Sequence, residues 1–242
     1  NATARARDNG PAVSVTLARE GAKVALNLHA SEAQAESTLN AIHAAGGEAS
    51  AVGGDLTKQE DVDRLVAEAT ATYGNKIDIL VNVAGGLVAR KTIEETDVDF
   101  VDFVMRLNYL STFMVTKSVL PYMGDGGSIV NFSSQAARDG GGPGAWAYAA
   151  SKGAISTMTR GWAREFGPRN IRVNALCAGM IATTFHDTFT KGEVRTNVAN
   201  ATPLRREGLA EEVADTVAYL ASDEASFLTG VNLDINGGLY FS

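Results

Sequence analysis

Tyr148 and Lys152 stand four residues apart in Ala147-Tyr148-Ala149-Ala150-Ser151-Lys152. On a helix that spacing stacks a phenol and an ammonium on one face. A free phenol titrates at about pH 10, too high to exchange protons readily near neutrality. A fixed cation beside it stabilises the phenolate and draws its pKa toward working pH. The pair is a candidate proton-transfer device, although a solvated helix face produces the same spacing by chance.

Other residues with chemical potential precede it in order: Asp55 in Gly54-Asp55-Leu56, the run Asn82-Val83-Ala84-Gly85-Gly86, Asn108, and Ser133-Ser134. Taken singly, each has a bland reading. The two serines could satisfy backbone groups at a strand end, and Asn108 could be a polar residue inside a helix. His29, His43 and His186 are scattered and no cysteines cluster, so no metal site is expected. Cys177, the single cysteine, lies in an apolar setting that suits a small buried hydrophobe.

Elements able to position these residues alternate along the chain. Strands are expected over Lys23–Leu28, Ile77–Val83, Ser128–Ser133, Ile171–Leu176 and Val231–Ile235. Ser31 can cap a helix over Glu32–Ala45, and Val62, Leu65, Val66 and Ala69 form the apolar stripe of the next. Longer helical patterns cover about Val98–Met123, Ala149–Phe166 and Ala210–Ala221. This alternation predicts an α/β fold with a doubly wound parallel sheet, in one domain spanning 1–242. In such a sheet ligands bind beyond the carboxyl ends of the strands. The polar, weakly periodic segment 184–206 follows a strand end and reads as a lid.

With 242 residues, 45% of them hydrophobic, the chain can bury one large core. A net charge of -7 and a pI near 5.0 argue against nucleic acid or an anionic membrane as main partner. No apolar run is long enough to span a bilayer, and residues 1–10 lack a signal-peptide core, so the cytoplasm is expected.

Taken together, the ordered residues resemble the short-chain dehydrogenase/reductase family over nearly the whole chain. Further matches are Ala178-Gly179-Met180-Ile181-Ala182-Thr183, Thr229-Gly230 and Asn236-Gly237-Gly238. The resemblance implies a Rossmann-like fold and a catalytic tetrad of Asn108, Ser134, Tyr148 and Lys152. Ser134, second of its pair as in the family, would hydrogen-bond the substrate carbonyl. Tyr148 would deliver the proton. Lys152 would lower the phenol's pKa and bind the nicotinamide ribose, and Asn108 would hold a water linking the lysine to solvent. Thr183 and the Ile181 backbone, after Gly179, would orient the nicotinamide carboxamide. Asp55 with Leu56 would meet the adenine, and Asn82, Ala84 and Gly85 would pass the adenosine ribose. The family's homotetramer is also implied, with Glu211–Ala221 and Leu239-Tyr240-Phe241 as contact surfaces or intrachain core.

The phosphate-binding end departs from the family pattern. Members carry a strand leading into Thr-Gly-x-x-x-Gly-x-Gly, whose glycines let backbone approach a pyrophosphate at a helix start. Here Thr3, Ala4, Asp8 and Gly10 fall on those positions, with Pro11 following. Asp8 is electrostatically awkward beside a pyrophosphate, although it could cap the helix. The hydrophobic strand would require residues ahead of Asn1. An irregular or incomplete beginning is therefore expected, rather than loss of NAD(P) binding. Leu28 replaces the acid of many NAD-specific members, and His29 with Ser31 could accept a 2′-phosphate, tipping the expectation to NADP over NAD.

Three stretches, 85–92, 135–144 and 180–191, are similar to bacterial reductases of the alginate-derived 4-deoxy-L-erythro-5-hexoseulose uronate. That resemblance implies a small carboxylated carbonyl substrate. Arg90, Arg138 and Lys191 are candidate carboxylate partners, and Gly141 and Gly142 could turn backbone N–H groups toward sugar oxygens. Reduction of 3-oxoacyl thioesters, sugar or alcohol oxidation, and a non-catalytic binding role remain open readings.

Overall fold

The computed structural model describes residues 8–29 and 32–241. Its elements follow in order as α1 (Asn9–Arg19), β1 (Val24–Leu28), α2 (Glu32–Ala44), β2 (Ala49–Gly53), α3 (Gln59–Tyr73) and β3 (Ile79–Asn82). Next come α4 (Val98–Met105), α5 (Ser111–Val119), β4 (Ser128–Phe132), α6 (Ala136–Asp139), α7 (Trp146–Phe166) and β5 (Arg172–Ala178). The chain closes with α8 (Thr184–Phe189), α9 (Gly192–Ala201), α10 (Ala210–Ala221) and β6 (Asn232–Ile235).

Every strand pairing is parallel, as the alternation of strands and helices requires. The order β3-β4-β5-β6 forms one sheet and β1-β2 another. Among the described residues no ladder joins β1 to β3. β2 was not foreseen, because Ala49-Ser50-Ala51-Val52-Gly53 is poor in strand formers. It exists through its ladder with β1, in register from Val24 opposite Ala49.

Alternating strand residues feed two apolar layers. Ile129 and Val173 pack with Val62, Val66, Val115 and Phe166 on one face. Val130, Phe132 and Leu176 pack on the other with Val13 of α1 and Val213, Val217 and Leu220 of α10. The apolar face of α10 is thus intrachain core, while Tyr219 and Phe241 remain exposed. Cys177 is fully buried and unpaired, as its setting predicted.

Two helical expectations change. The long pattern from Val98 breaks at a π-helical turn, Arg106–Leu110, between α4 and α5. Asn108 lies within it and donates Nδ2 to the Val104 carbonyl at 3.0 Å, a side-chain insertion of the kind that widens a helix. Segment 184–206, weakly periodic in sequence, carries the short helices α8 and α9, whose apolar residues Phe185, Phe189, Val194 and Val198 line a cavity. No helix among the described residues is long and apolar enough to cross a membrane.

Candidate active site

A cavity of about 850 Å³ opens beyond the carboxyl ends of β3, β4 and β5. Ser134 reaches it from the end of β4, Tyr148 and Lys152 from the first turns of α7, and Gly179, Ile181 and Thr183 from the segment after β5. The i, i+4 spacing holds: Lys152 Nζ lies 5.8 Å from the Tyr148 ring centroid. Lys152 is 3% exposed and donates to the Phe132 carbonyl at 2.7 Å.

Burial lowers the Lys152 ammonium from its ordinary 10.5 to about 8, with Cys177 opposing part of the fall. Burial also pushes the Tyr148 phenol up, and a hydrogen bond with Ser134 draws it partly back. This reverses the direction expected from the lysine. The Phe185 ring lies 5.9 Å from the Tyr148 ring, and the burial of the phenol outweighs the opposing Ser134 hydrogen bond.

Adjacent serines have different fates. Ser133 Oγ donates to the Lys152 carbonyl at 2.9 Å and meets Ser156 Oγ at 2.7 Å, both within the core. Ser134 lines the cavity, where its Oγ accepts from the Ala136 N–H at 3.1 Å and its hydroxyl hydrogen-bonds Tyr148. Asn108 is fully buried and clamps Gly86 from both sides, accepting its N–H at 3.0 Å and donating to its carbonyl at 2.9 Å. Gly85, at φ 152°, passes between the polar groups. A Cβ there would sit 2.5 Å from Asn108 Oδ1 and 3.1 Å from Lys152 Nζ.

A second cavity of about 470 Å³ adjoins the first, both being lined by Gly10 and Val83. Leu28, His29, Leu56, Asn82 and Ala84 line it. Asn82, however, commits its amide to Thr116 Oγ1 at 3.1 Å and Asn131 Oδ1 at 2.9 Å inside the fold. Asp55 lines neither cavity; its carboxylate takes the Thr57 hydroxyl and N–H, which hold its pKa below the usual range. Thr3, Ala4 and Ser31 lie outside the described residues.

The candidate carboxylate partners separate. Arg90 lines the main cavity at its rim, after a tight turn at Val88 with φ 67°, a strained conformation for a β-branched residue. Its Nε donates to the Phe189 carbonyl at 3.2 Å and its Nη1 to the Pro143 carbonyl at 3.0 Å. No described carboxylate pairs with it. Arg138 turns away instead, toward Asp234 at 3.4 Å and the Asn232 carbonyl at 2.9 Å, and does not line the cavity. Its neighbour Asp139 is the nearer acid to the site, and β6 supplies Arg138 with a partner that no local pattern announces. Lys191 is exposed at the head of α9 and also lies off the lining. Gly141 and Gly142 do line it, but the Gly141 N–H is already donated to Asp139 Oδ1 at 2.8 Å, so it is not open to a sugar oxygen.

Sequence reasoning missed Phe185, His186 and Phe189, which line the cavity from α8, and Leu239 and Tyr240 from the C-terminal segment. The i, i+4 aromatic pair Phe185 and Phe189 was the available signal for an apolar face on α8. Burial lowers the His186 pKa and keeps that ring neutral near pH 7.

Known proteins are similar to this chain over nearly their whole length. The family profile described as enoyl-(acyl carrier protein) reductase matches residues 5–240. The 3-oxoacyl-(acyl-carrier-protein) reductase of Thermotoga maritima is 36% identical over 243 residues, covering 98% of this chain and 95% of that protein. A short-chain dehydrogenase/reductase from Serratia marcescens superposes with a TM-score of 0.90 at 35% identity, covering 96% of this chain and 94% of that one. An NADH-dependent reductase responsible for alginate metabolism, A1-R′, gives 0.87 at 35% identity, covering 99% and 95%. With its parallel α/β fold and its profile match along nearly the whole sequence, the chain belongs to the short-chain dehydrogenase/reductase family and is an NAD(P)-dependent oxidoreductase.

Proposed function

We propose that the chain reduces a carbonyl on a small carboxylated sugar, namely 4-deoxy-L-erythro-5-hexoseulose uronate to 2-keto-3-deoxygluconate. The observation that carries this reading is the convergence of Ser134, Tyr148 and Lys152 on one cavity whose rim holds Arg90, a cation unpaired by any described carboxylate. Likeness to the alginate-metabolism reductase adds support.

The residues present fit a dinucleotide. The two cavities meet at Gly10 near the start of α1, where a Cβ would touch nothing within 4 Å, and Gly85 lines the larger one with its backbone packed against Asn108 and Lys152, leaving no room for a side chain. Gly179, Ile181 and Thr183 would hold the nicotinamide end, and Leu28, His29, Leu56 and Ala84 the adenosine end. When bound, the reduced cofactor supplies hydride to the carbonyl carbon.

The chain's own residues manage the proton. Tyr148, with its pKa raised, keeps the phenolic proton at neutral pH and is in the correct state to donate it to the carbonyl oxygen. Ser134 donates its hydroxyl to the same oxygen as negative charge develops there. Once the proton has left, the Lys152 ammonium stabilises the phenolate. Asn108 fixes the Gly85–Gly86 turn against Lys152. Segment 184–206 acts as the lid, excluding water through Phe185 and Phe189.

Absence of an acid at Leu28 favours NADP over NAD. We also infer a cytoplasmic homotetramer, supported by the unpaired Cys177 and by Phe103 and Phe113 exposed on α4 and α5; sedimentation of the purified chain tests the assembly. A 3-oxoacyl thioester reductase is the competing reading, favoured by the Thermotoga relative and by the apolar lining residues Leu87, Val194 and Val198. Steady-state rates with the uronate, a neutral ketone and a 3-oxoacyl thioester decide between them. Preference for either competitor defeats the uronate assignment.

A further inference from the structure

Asp8 occupies the position where the sequence pattern leads one to expect a glycine, and its carboxylate has an unexpected set of partners. It is the N-cap residue of α1, with φ −133° and ψ 154°, yet its side chain makes no capping bond to that helix. Its Oδ1 instead accepts from the N–H of Thr184 at 3.0 Å and from Thr184 Oγ1 at 2.6 Å. Oδ2 accepts from Gln34 Nε2 at 2.7 Å. One carboxylate therefore ties together the start of α1, the first turn of α2 and the first residue of α8.

The consequences reach Tyr148 in two steps. Thr184 opens α8, and Phe185 follows it with its ring 5.9 Å from the Tyr148 ring. At the far end of α8 the Phe189 carbonyl accepts from Arg90 Nε at 3.2 Å. A negative group thus holds the N–H end of this helix and a positive group its C=O end, the arrangement that peptide dipoles favour. Lateral support comes from Arg195 on α9, which pairs with Asp187 of α8 and at 2.7 Å with Glu207. Within α8, Thr188 Oγ1 donates to the Thr184 carbonyl at 2.9 Å.

We propose that Asp8 is a positioning residue that latches α8 over Tyr148 by accepting both polar hydrogens of Thr184. Rather than being a damaged phosphate-loop glycine, it ties the lid to the helix start beside which the dinucleotide binds. This rests on reading the cavity as the reductase site. A carboxylate is required for full strength, because charged acceptors form the stronger hydrogen bonds. An asparagine retains an oxygen able to take the Thr184 N–H, so it preserves part of the latch while removing the charge.

The experiment compares Asp8→Ala, Asp8→Asn and Thr184→Val with the parent chain, reading amide exchange over residues 184–189 and the KM for the best carbonyl substrate. Alanine is expected to speed exchange in that segment and raise KM by roughly tenfold, with kcat for the saturated enzyme changed less. Asparagine is expected to restore part of the protection. Asp8→Ala combined with Thr184→Val should be little worse than Asp8→Ala alone, since the hydroxyl bond that Thr184→Val removes is already lost with the carboxylate. Unchanged exchange in Asp8→Ala overturns the latch, as do effects that simply multiply in the double variant. A purely structural role would lower thermal stability equally in the alanine and asparagine variants without a separate change over 184–189, and that outcome also overturns it. If the parent reduces no carbonyl with either dinucleotide, the reductase reading fails, while the exchange measurements still decide the latch.

Discussion

The Lys152 ammonium donates to the carbonyl of Phe132 at 2.7 Å, anchoring α7 to the last residue of β4, immediately before Ser133 and Ser134. The bond fixes a buried cation beside the phenol without neutralising it, so the charge remains available to Tyr148.

Burial has lowered the Lys152 pKa from 10.5 to about 8. Carbonyl reduction is therefore expected to fall as pH rises through about 8, when the ammonium loses its proton. Stability should move oppositely. Between 8 and 10.5 the unfolded chain holds a proton on this lysine that the folded chain has released, so stability rises with pH across that window. A pH–rate profile and thermal midpoints over the same range, each compared with Lys152→Met, check both signs.

Tyr148→Phe removes the proton donor and little volume. Turnover should drop by about 10²- to 10⁴-fold, while dinucleotide affinity measured by fluorescence titration stays within a few-fold. Substantial residual turnover would remove Tyr148 from the proposed role.

Gly85→Ala would drive a methyl to 2.5 Å from Asn108 Oδ1 at a backbone φ of 152°. Both features disfavour it, so a loss of about 1–3 kcal/mol is expected, together with weakened NAD(P)H binding. Chemical denaturation and the binding titration report these separately.

Arg90 and Arg138 should diverge on substitution. Arg90→Ala is expected to raise KM for the carboxylated substrate by about tenfold or more, with little effect on a neutral ketone. Arg138→Ala breaks a pair with Asp234 whose side chains are 16% and 14% exposed, so it should cost about 1–3 kcal/mol of stability and leave KM nearly unchanged. The same pair of measurements on both variants tests the contrast.

Coenzyme choice follows from the end of β1, where Leu28 offers no carboxylate to a ribose diol. KM for NADPH should be lower than for NADH, and His29→Ala should narrow the difference. Equal constants for the two coenzymes would refute the preference.

Local sequence determined much about this protein. The i, i+4 placement of Tyr148 and Lys152 guarantees their shared face once α7 forms, and strand–helix alternation dictates a parallel sheet whose carboxyl ends gather Ser134 and the segment after Ala178. Tertiary structure decided what depends on partners far along the chain. Arg138 could be recognised as a cation, but only β6 brings Asp234 beside it. β2 forms because β1 supplies a ladder, and the π-helical turn around Asn108 forms where its amide meets Gly86 across 22 residues. Asp8 had the composition of a defect until folding carried Thr184, 176 residues away, against its carboxylate. Periodicity encodes a residue's face, because the backbone repeat is local; it does not encode the distant group waiting on that face.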